Sequence, residues 1–234
     1  MPTFSYNGQI IEYRLNRRAK RNVNFRIKEN GEIYISAPRY VSKQELEKMI
    51  SKKADWLIEA QNKVISKTHN KIEKTIKNGS ITFFNGKQYQ IKITPSISND
   101  VSFYENIITI KIKSKYFEND EYINKFFKTW LKEYEYYLCD KLIDKYIELF
   151  KKYKLKKPYL TIREMTSRWG SCIPAKNKIA INQKLIYSHF SCLEYVVLHE
   201  VSHLIEPNHS PKFYALIENI MPDWKTRRQL LNSF

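Results

Sequence analysis

Cysteine is scarce. Cys139, Cys172 and Cys192 have no paired spacing, which excludes a disulfide framework and a cysteine-based zinc site and fits a reducing compartment. Long apolar runs are missing. No stretch approaches the roughly eighteen residues that a membrane-spanning helix needs, so no membrane partner is expected. Met1 to Ile10 carry no hydrophobic signal segment, so a cytoplasmic location is expected. Acidic residues are also short, at 24 Asp+Glu against 41 Lys+Arg for a formal net charge of +17. Hydrophobic content of 42% with 14% aromatic residues supports a packed core and excludes a disordered chain.

A balance this basic favours polyanions, but its distribution limits that reading. Residues 158 to 234 contain nine Lys+Arg against six Asp+Glu, a net of +3, so +14 of the +17 lies in residues 1 to 157. Possible nucleic-acid contact therefore belongs to the basic N-terminal half. Its densest cluster is Arg14, Arg17, Arg18, Lys20, Arg21, Arg26 and Lys28.

The densest chemistry lies elsewhere. Three of the five histidines fall between positions 199 and 209, within His199-Glu200-Val201-Ser202-His203 and, six residues on, His209. On a helix, positions i and i+4 share one face a turn apart, so His199 and His203 can grip one metal ion. Glu200 lies about 100° further round the helix, beside the metal, where a carboxylate can take a proton from an activated water. This is the H-E-x-x-H arrangement of zinc hydrolases. The third ligand has three candidates: His209, Glu206 and Glu218.

Local signals frame the motif. Ser191-Cys192-Leu193-Glu194 reads as a capping box opening the helix. Pro207 should end it near Ile205. Ser210-Pro211 reads as an N-cap with proline at the first helical position, which puts His209 on a turn between two helices. The spacing from His199 to His209 equals that of H-E-x-x-H-x-x-G-x-x-H. Glu206 stands where that signature has glycine, so Asn208 is the residue expected to turn left-handed.

Along the rest of the chain, Val23, Phe25 and Ile27, the Asn30-Gly31 turn, and Ile33 and Ile35 predict a β-hairpin. Ser42 to Glu45 is a second capping box opening a helix with Leu46, Met49, Ile50, Ala54 and Leu57 at helical spacing. Residues 61 to 80 read as a linker or an exposed helix end. Strands are expected at Ile81 to Phe84, Tyr89 to Thr94, Val101 to Tyr104 and Ile107 to Ile112. A long helix follows over residues 120 to 153, with Phe126, Trp130, Tyr134, Leu138, Leu142 and Tyr146 among its apolar positions. Short strands are expected at Tyr159 to Arg163 and Lys178 to Ile181. No internal repeat is visible. The fold class is α+β, with an N-terminal β-hairpin-rich region over 1–115 and a C-terminal minimal zincin-like domain over 116–234.

Arg163-Glu164-Met165-Thr166-Ser167-Arg168-Trp169-Gly170-Ser171-Cys172, the H-E-x-x-H helix, Asn208-His209-Ser210, Met221-Pro222-Asp223-Trp224 and Arg227-Arg228 together resemble the YgjP-like family. These are predicted metal-dependent hydrolases or zinc metallopeptidases related to SprT-like proteases. The similarity extends to the N-terminal hairpin and to Lys52-Lys53-Ala54-Asp55-Trp56-Leu57. It implies one Zn²⁺ on His199, His203 and His209, with Glu200 catalytic and a peptide or protein substrate.

Two further functions compete with a zinc metallopeptidase. One is a zinc hydrolase of a non-peptide amide. The other is a nucleic-acid-associated protein, either a protease of DNA-bound proteins or a binding module with structural zinc. Arg168, His189 and Tyr214 are the candidate oxyanion donors. Glycine permits close backbone approach, and a strand edge can pair with an extended peptide. On that ground Arg168, Trp169, Gly170 and Ser171 are candidate substrate-binding residues.

Overall fold

The structure is a computed structural model and describes residues 2–6, 9–19, 21–28, 31–69, 75–232 and 234. It is mixed α+β. The chain divides into one unit of Met1–Lys71 with Lys225–Phe234 and a second of Ile72–Trp224. The boundary expected at 115/116 falls inside the second unit.

In the first unit, β1 (Thr3–Tyr6), β2 (Gln9–Arg18), β3 (Asn24–Ile27) and β4 (Ile33–Pro38) form a sheet in the order β1-β2-β4-β3. The expected hairpin is β3–β4, with Ile27 opposite Ile33 and Phe25 opposite Ile35. Asn30 of its turn lies outside the described residues. Helix α1 (Lys43–His69) follows. The Glu45 amide donates to Ser42 Oγ at 3.2 Å and the Ser42 amide donates back to Glu45 Oε2 at 2.9 Å, a reciprocal capping box. Leu46, Ile50, Ala54 and Leu57 are buried in α1, whereas Met49 is exposed. Much of residues 61 to 80 is helix, since α1 runs to His69; residues 70–74 lie outside the described residues.

The basic cluster is partly consumed within this unit. Arg17 Nη1 donates to the carbonyls of Pro38 and Val41 at 2.8 and 2.6 Å. Arg14 pairs with Glu32 at 2.8 Å. Lys20 lies outside the described residues.

The second unit begins with the same topology. Strands β5 (Ile81–Phe84), β6 (Lys87–Ser96), β7 (Asp100–Tyr104) and β8 (Ile107–Lys113) order as β5-β6-β8-β7. The parallel pair β6–β8 matches β2–β4, and the flanking antiparallel pairs match too. Each set of four strands leads to a long helix. This repeat leaves one trace in the sequence: an Asn-Gly pair follows β1 and another follows β5. Pleated sheets accept many side chains at each position, so little else of the likeness survives in residue identity.

Helix α2 (Asp120–Leu149) opens on Asn119, whose side chain accepts from the Tyr122 amide. Its most buried stripe is Ile123, Phe127, Leu131, Glu135, Cys139, Ile143 and Tyr146. Phe126, Trp130, Tyr134 and Leu138, among the expected apolar positions, form a partly buried second stripe packed against the β5–β8 cluster. The helix has two packed faces because it also contacts the metal-motif helix described below. Strands β9 (Tyr159–Arg163), β10 (Gly170–Ile173) and β11 (Lys178–Asn182) make a third sheet in the order β10-β11-β9. Then come α3 (Phe190–Ser202), α4 (Pro211–Ile220) and α5 (Trp224–Asn232). Among the described residues no helix is long and apolar enough to cross a membrane.

Glu135 is the exception in the α2 core, with no exposure at all. Burial pushes its carboxyl up to about 9, and the amide of Ile186 offsets this only in part. The unfolded carboxyl loses its proton near 4.5, so across that window the folded chain binds more protons. Stability therefore falls as pH rises through it, by on the order of 1 kcal/mol per pH unit. Glu135→Gln keeps the shape of the protonated acid and is expected to flatten this slope. Urea unfolding of both chains at about pH 5 and about pH 8 checks it. Parallel slopes in the two chains would refute the assignment.

Candidate metal centre

The β5–β6 turn positions the start of α3. Gly86 has φ +73, and a Cβ there would meet Cα of His189 at 2.6 Å, so only glycine allows this approach. The Asn85 amide donates to the carbonyl of Ile186 at 2.8 Å. The N-cap of α3 is His189 rather than Ser191. His189 Nδ1 accepts from the Ser191 amide at 3.2 Å, so Ser191 is the residue served by a cap. Imidazole nitrogen replaced the hydroxyl that the capping-box pattern anticipates. This role holds His189 at the N-terminal end of α3, away from His199 and His203.

At its other end α3 stops at Ser202 rather than near Ile205, with His203 still right-handed at the C-cap. The amides of Leu204 and Ile205 donate to Val201 and Ser202 three residues back, at 3.0 Å each. The chain thus tightens without any left-handed residue, and neither Glu206 nor Asn208 has positive φ. That is why no glycine is needed at 206. Ser210 caps α4, its Oγ accepting from the Phe213 amide at 3.3 Å, with Pro211 at the first helical position. His209 lies on the turn between, as expected.

The three imidazoles converge. His203 Nε2 lies 3.2 Å and His209 Nε2 3.0 Å from His199 Nε2, and the set can hold a metal ion, its ligand atoms all within 4.8 Å of one another. Zinc–nitrogen bonds of about 2.0–2.1 Å at tetrahedral angles place ligand nitrogens about 3.3 Å apart, close to both separations from His199 Nε2, so the donor set suits that ion. Glu206 contributes through its backbone. Its carbonyl lies 3.1 Å from His203 Nδ1; a carbonyl only accepts, so Nδ1 carries the proton and Nε2 keeps its lone pair for a metal. Glu218 is exposed on α4 and stands outside the cluster.

Phe213, which sequence reasoning passed over, floors the site. It is fully buried, and its ring centroid lies 4.9, 4.5 and 4.8 Å from those of His199, His203 and His209. Its signal was its place three residues after the Ser210 cap, which turns its side chain inward. Tyr214 stacks on Trp224 at 4.9 Å and does not line the cleft.

Glu200 is 5% exposed. Burial pushes its carboxyl up to about 8, opposed by the charge of Arg168. Strand β10 runs directly past it. A Cβ on Gly170 would stand 2.5 Å from Glu200 Oε1. The cleft, about 460 Å³ in volume, has His199, Glu200, His203 and His209 on one side and Arg168, Gly170, Ser171 and Cys172 on the other. Trp169 is half-buried and does not line it. Burial and the Glu200 charge push the Cys172 thiol up to about 12.

Asn182, at the end of β11, was also missed. It is 3% exposed. Its Nδ2 donates to the carbonyls of Met165 and Arg168, both at 2.9 Å. Its Oδ1 accepts from the Lys184 amide at 3.2 Å. One buried amide thereby fastens the loop that enters the cleft to the sheet. Asn182→Ala strands these backbone groups and is expected to cost about 2–3 kcal/mol, read as a lowered urea midpoint.

The model of the YgjP-like metallopeptidase domain matches residues 21–234. No curated protein matches the chain. A metallopeptidase domain brings a metal cofactor and a peptide or protein substrate with it, and the three-histidine cluster is a donor set of the right kind. On the match over residues 21–234, the chain belongs to the YgjP-like family.

Proposed function

We propose that the chain is a zinc-dependent peptidase in which His199, His203 and His209 hold the ion and Glu200 is the general base. The observation that carries this reading is the convergence of three imidazole nitrogens beside a buried carboxyl in one cleft. When bound, zinc supplies Lewis acidity, acidifying water and polarising the scissile carbonyl. Glu200 accepts a proton from the attacking water at a carboxylate oxygen and hands it to the departing amine nitrogen. Its raised pKa suits both steps, since the group must take up the proton and then release it near neutral pH. A cation nearby draws that value down. His203 stays oriented by its Nδ1 hydrogen bond to Glu206. Phe213 excludes water beneath the ligands.

Strand β10 pairs with β11 alone among the described strands, so its other edge has backbone groups to offer. An extended peptide laid along Gly170 to Cys172 can pair with that edge. This favours a peptide over a small amide, which has no use for a strand edge. The charge distribution gives no comparable support to the nucleic-acid reading. Arg14 and Arg17 are engaged within their own unit, and the cleft residues include a single cation.

Wild type and Glu200→Gln are both expected to bind about one zinc per chain, while Glu200→Gln loses about 10²–10⁴ in peptide hydrolysis. Metal analysis alongside a broad peptide mixture checks this. Zinc retained unchanged in His199→Ala and His203→Ala would end the reading. Gly170→Ala is expected to keep its zinc but to push the Glu200 carboxyl aside, lowering kcat about 10²-fold with a smaller change in KM. Unaltered kcat in Gly170→Ala would show that the close approach has no part in the chemistry.

A further inference from the structure

The proton transfers above run through Glu200 beside the histidines, and the cleft wall facing them carries a cation as well. Arg168 lines the wall opposite the histidines, and its side chain is exposed. Among the described residues no carboxylate pairs with its guanidinium, yet its charge is felt at Glu200. The loop that carries it is not slack, because Asn182 Nδ2 holds the Arg168 carbonyl at 2.9 Å. The adjoining backbone is tied as well, the Asn182 amide donating to the Trp169 carbonyl at 2.9 Å. An anchored backbone presents the side chain beside β10, where a substrate backbone would lie.

Among the described residues, the other formally charged side chain lining the cleft is Glu200, which the reaction occupies. Three neutral imidazoles do not cancel a bound dication, so the loaded cleft is net positive. It attracts a carboxylate and repels lysine or arginine. A guanidinium also offers forked donors that match a carboxylate in two parallel hydrogen bonds.

Resting on the peptidase reading, we infer that Arg168 is a specificity-determining residue that binds a substrate carboxylate next to the bond being cut. That carboxylate is either an acidic side chain or the C-terminal carboxylate of the peptide. Both present the same group to the same guanidinium.

The test measures binding apart from catalysis. Fluorescent peptides are titrated onto the full-length Glu200→Gln chain with one equivalent of zinc added. The peptides come as twins: Glu or Asp against Gln or Asn at the central positions, and a free against an amidated C-terminus. One twin pair is expected to differ about tenfold in Kd in favour of the carboxylate, and which pair does so identifies its source. Adding Arg168→Gln should abolish the difference, Arg168→Lys should keep part of it, and raised salt should shrink it. Equal binding of both twin pairs, or a difference untouched by Arg168→Gln, overturns the inference.

Cleavage by the chain with Glu200 intact separates the two claims. If the carboxylate preference in binding is present but no peptide is cut, the peptidase reading fails and the carboxylate site stands. If peptides are cut without charge preference, the site fails and the peptidase reading stands. A uniform fall in kcat for every peptide in Arg168→Gln, with no change in the twin ratio, would assign Arg168 to the reaction itself and overturn its role in selection.

Discussion

Gly170 lets strand β10 lie against helix α3 at a distance no other residue allows. A Cβ there would stand 2.8 Å from both Cγ and Cδ of Glu200, and closer still to one carboxylate oxygen. The rest of the site follows from that contact. The strand covers Glu200 and removes it from water, which is what raises its pKa. The same strand forms the wall facing the histidines, so the cleft exists because sheet and helix meet there. Asn182 then keeps the chain entering β10 in place, since its side chain and its amide both bind the segment from Met165 to Trp169.

The face that brings His199 and His203 together was legible because it depends on a local rule. A helix puts residues four apart on one side whatever surrounds it, so His199 and His203 needed no tertiary knowledge. Ser210-Pro211 was legible for the same reason. The α3 cap was not, because a histidine ring took the place of the usual hydroxyl. Strand β10 was not, because Gly-Ser-Cys-Ile lacks an alternating pattern and is held by its neighbour β11. Asn182 and Phe213 act through partners distant in sequence or through burial that only the assembled fold supplies. The repeated four-strand topology was hidden by the tolerance of sheets for different side chains, apart from the Asn-Gly pair that follows both β1 and β5 in the sequence.

Net charge was the weakest guide. An excess of +17 suggested a polyanion, but charge at the level of the chain says nothing of where a guanidinium is spent. Arg17 is spent on two carbonyls that hold β2 to the segment after β4. Arg14 is spent on Glu32. Arg168, in the least basic part of the chain, is the cation placed where a ligand would meet it.

Two buried carboxyls make the physical point about the site. Glu135 and Glu200 both have raised pKa values, to about 9 and about 8, and burial is the main cause for each. They differ in what opposes it. For Glu135, among the described residues, the backbone amide of Ile186 is what opposes it, and the carboxyl serves as part of the α2 core. Glu200 faces the charge of Arg168 and stands beside three imidazoles able to hold a cation, both of which oppose the effect of burial. A carboxyl that burial alone protonates cannot act as a base at neutral pH; one whose protonation burial favours and nearby cations oppose can pass a proton in both directions. That balance requires the close strand and the cleft charge together, and therefore ties Gly170 and Arg168 to Glu200 more tightly than their spacing in sequence suggests.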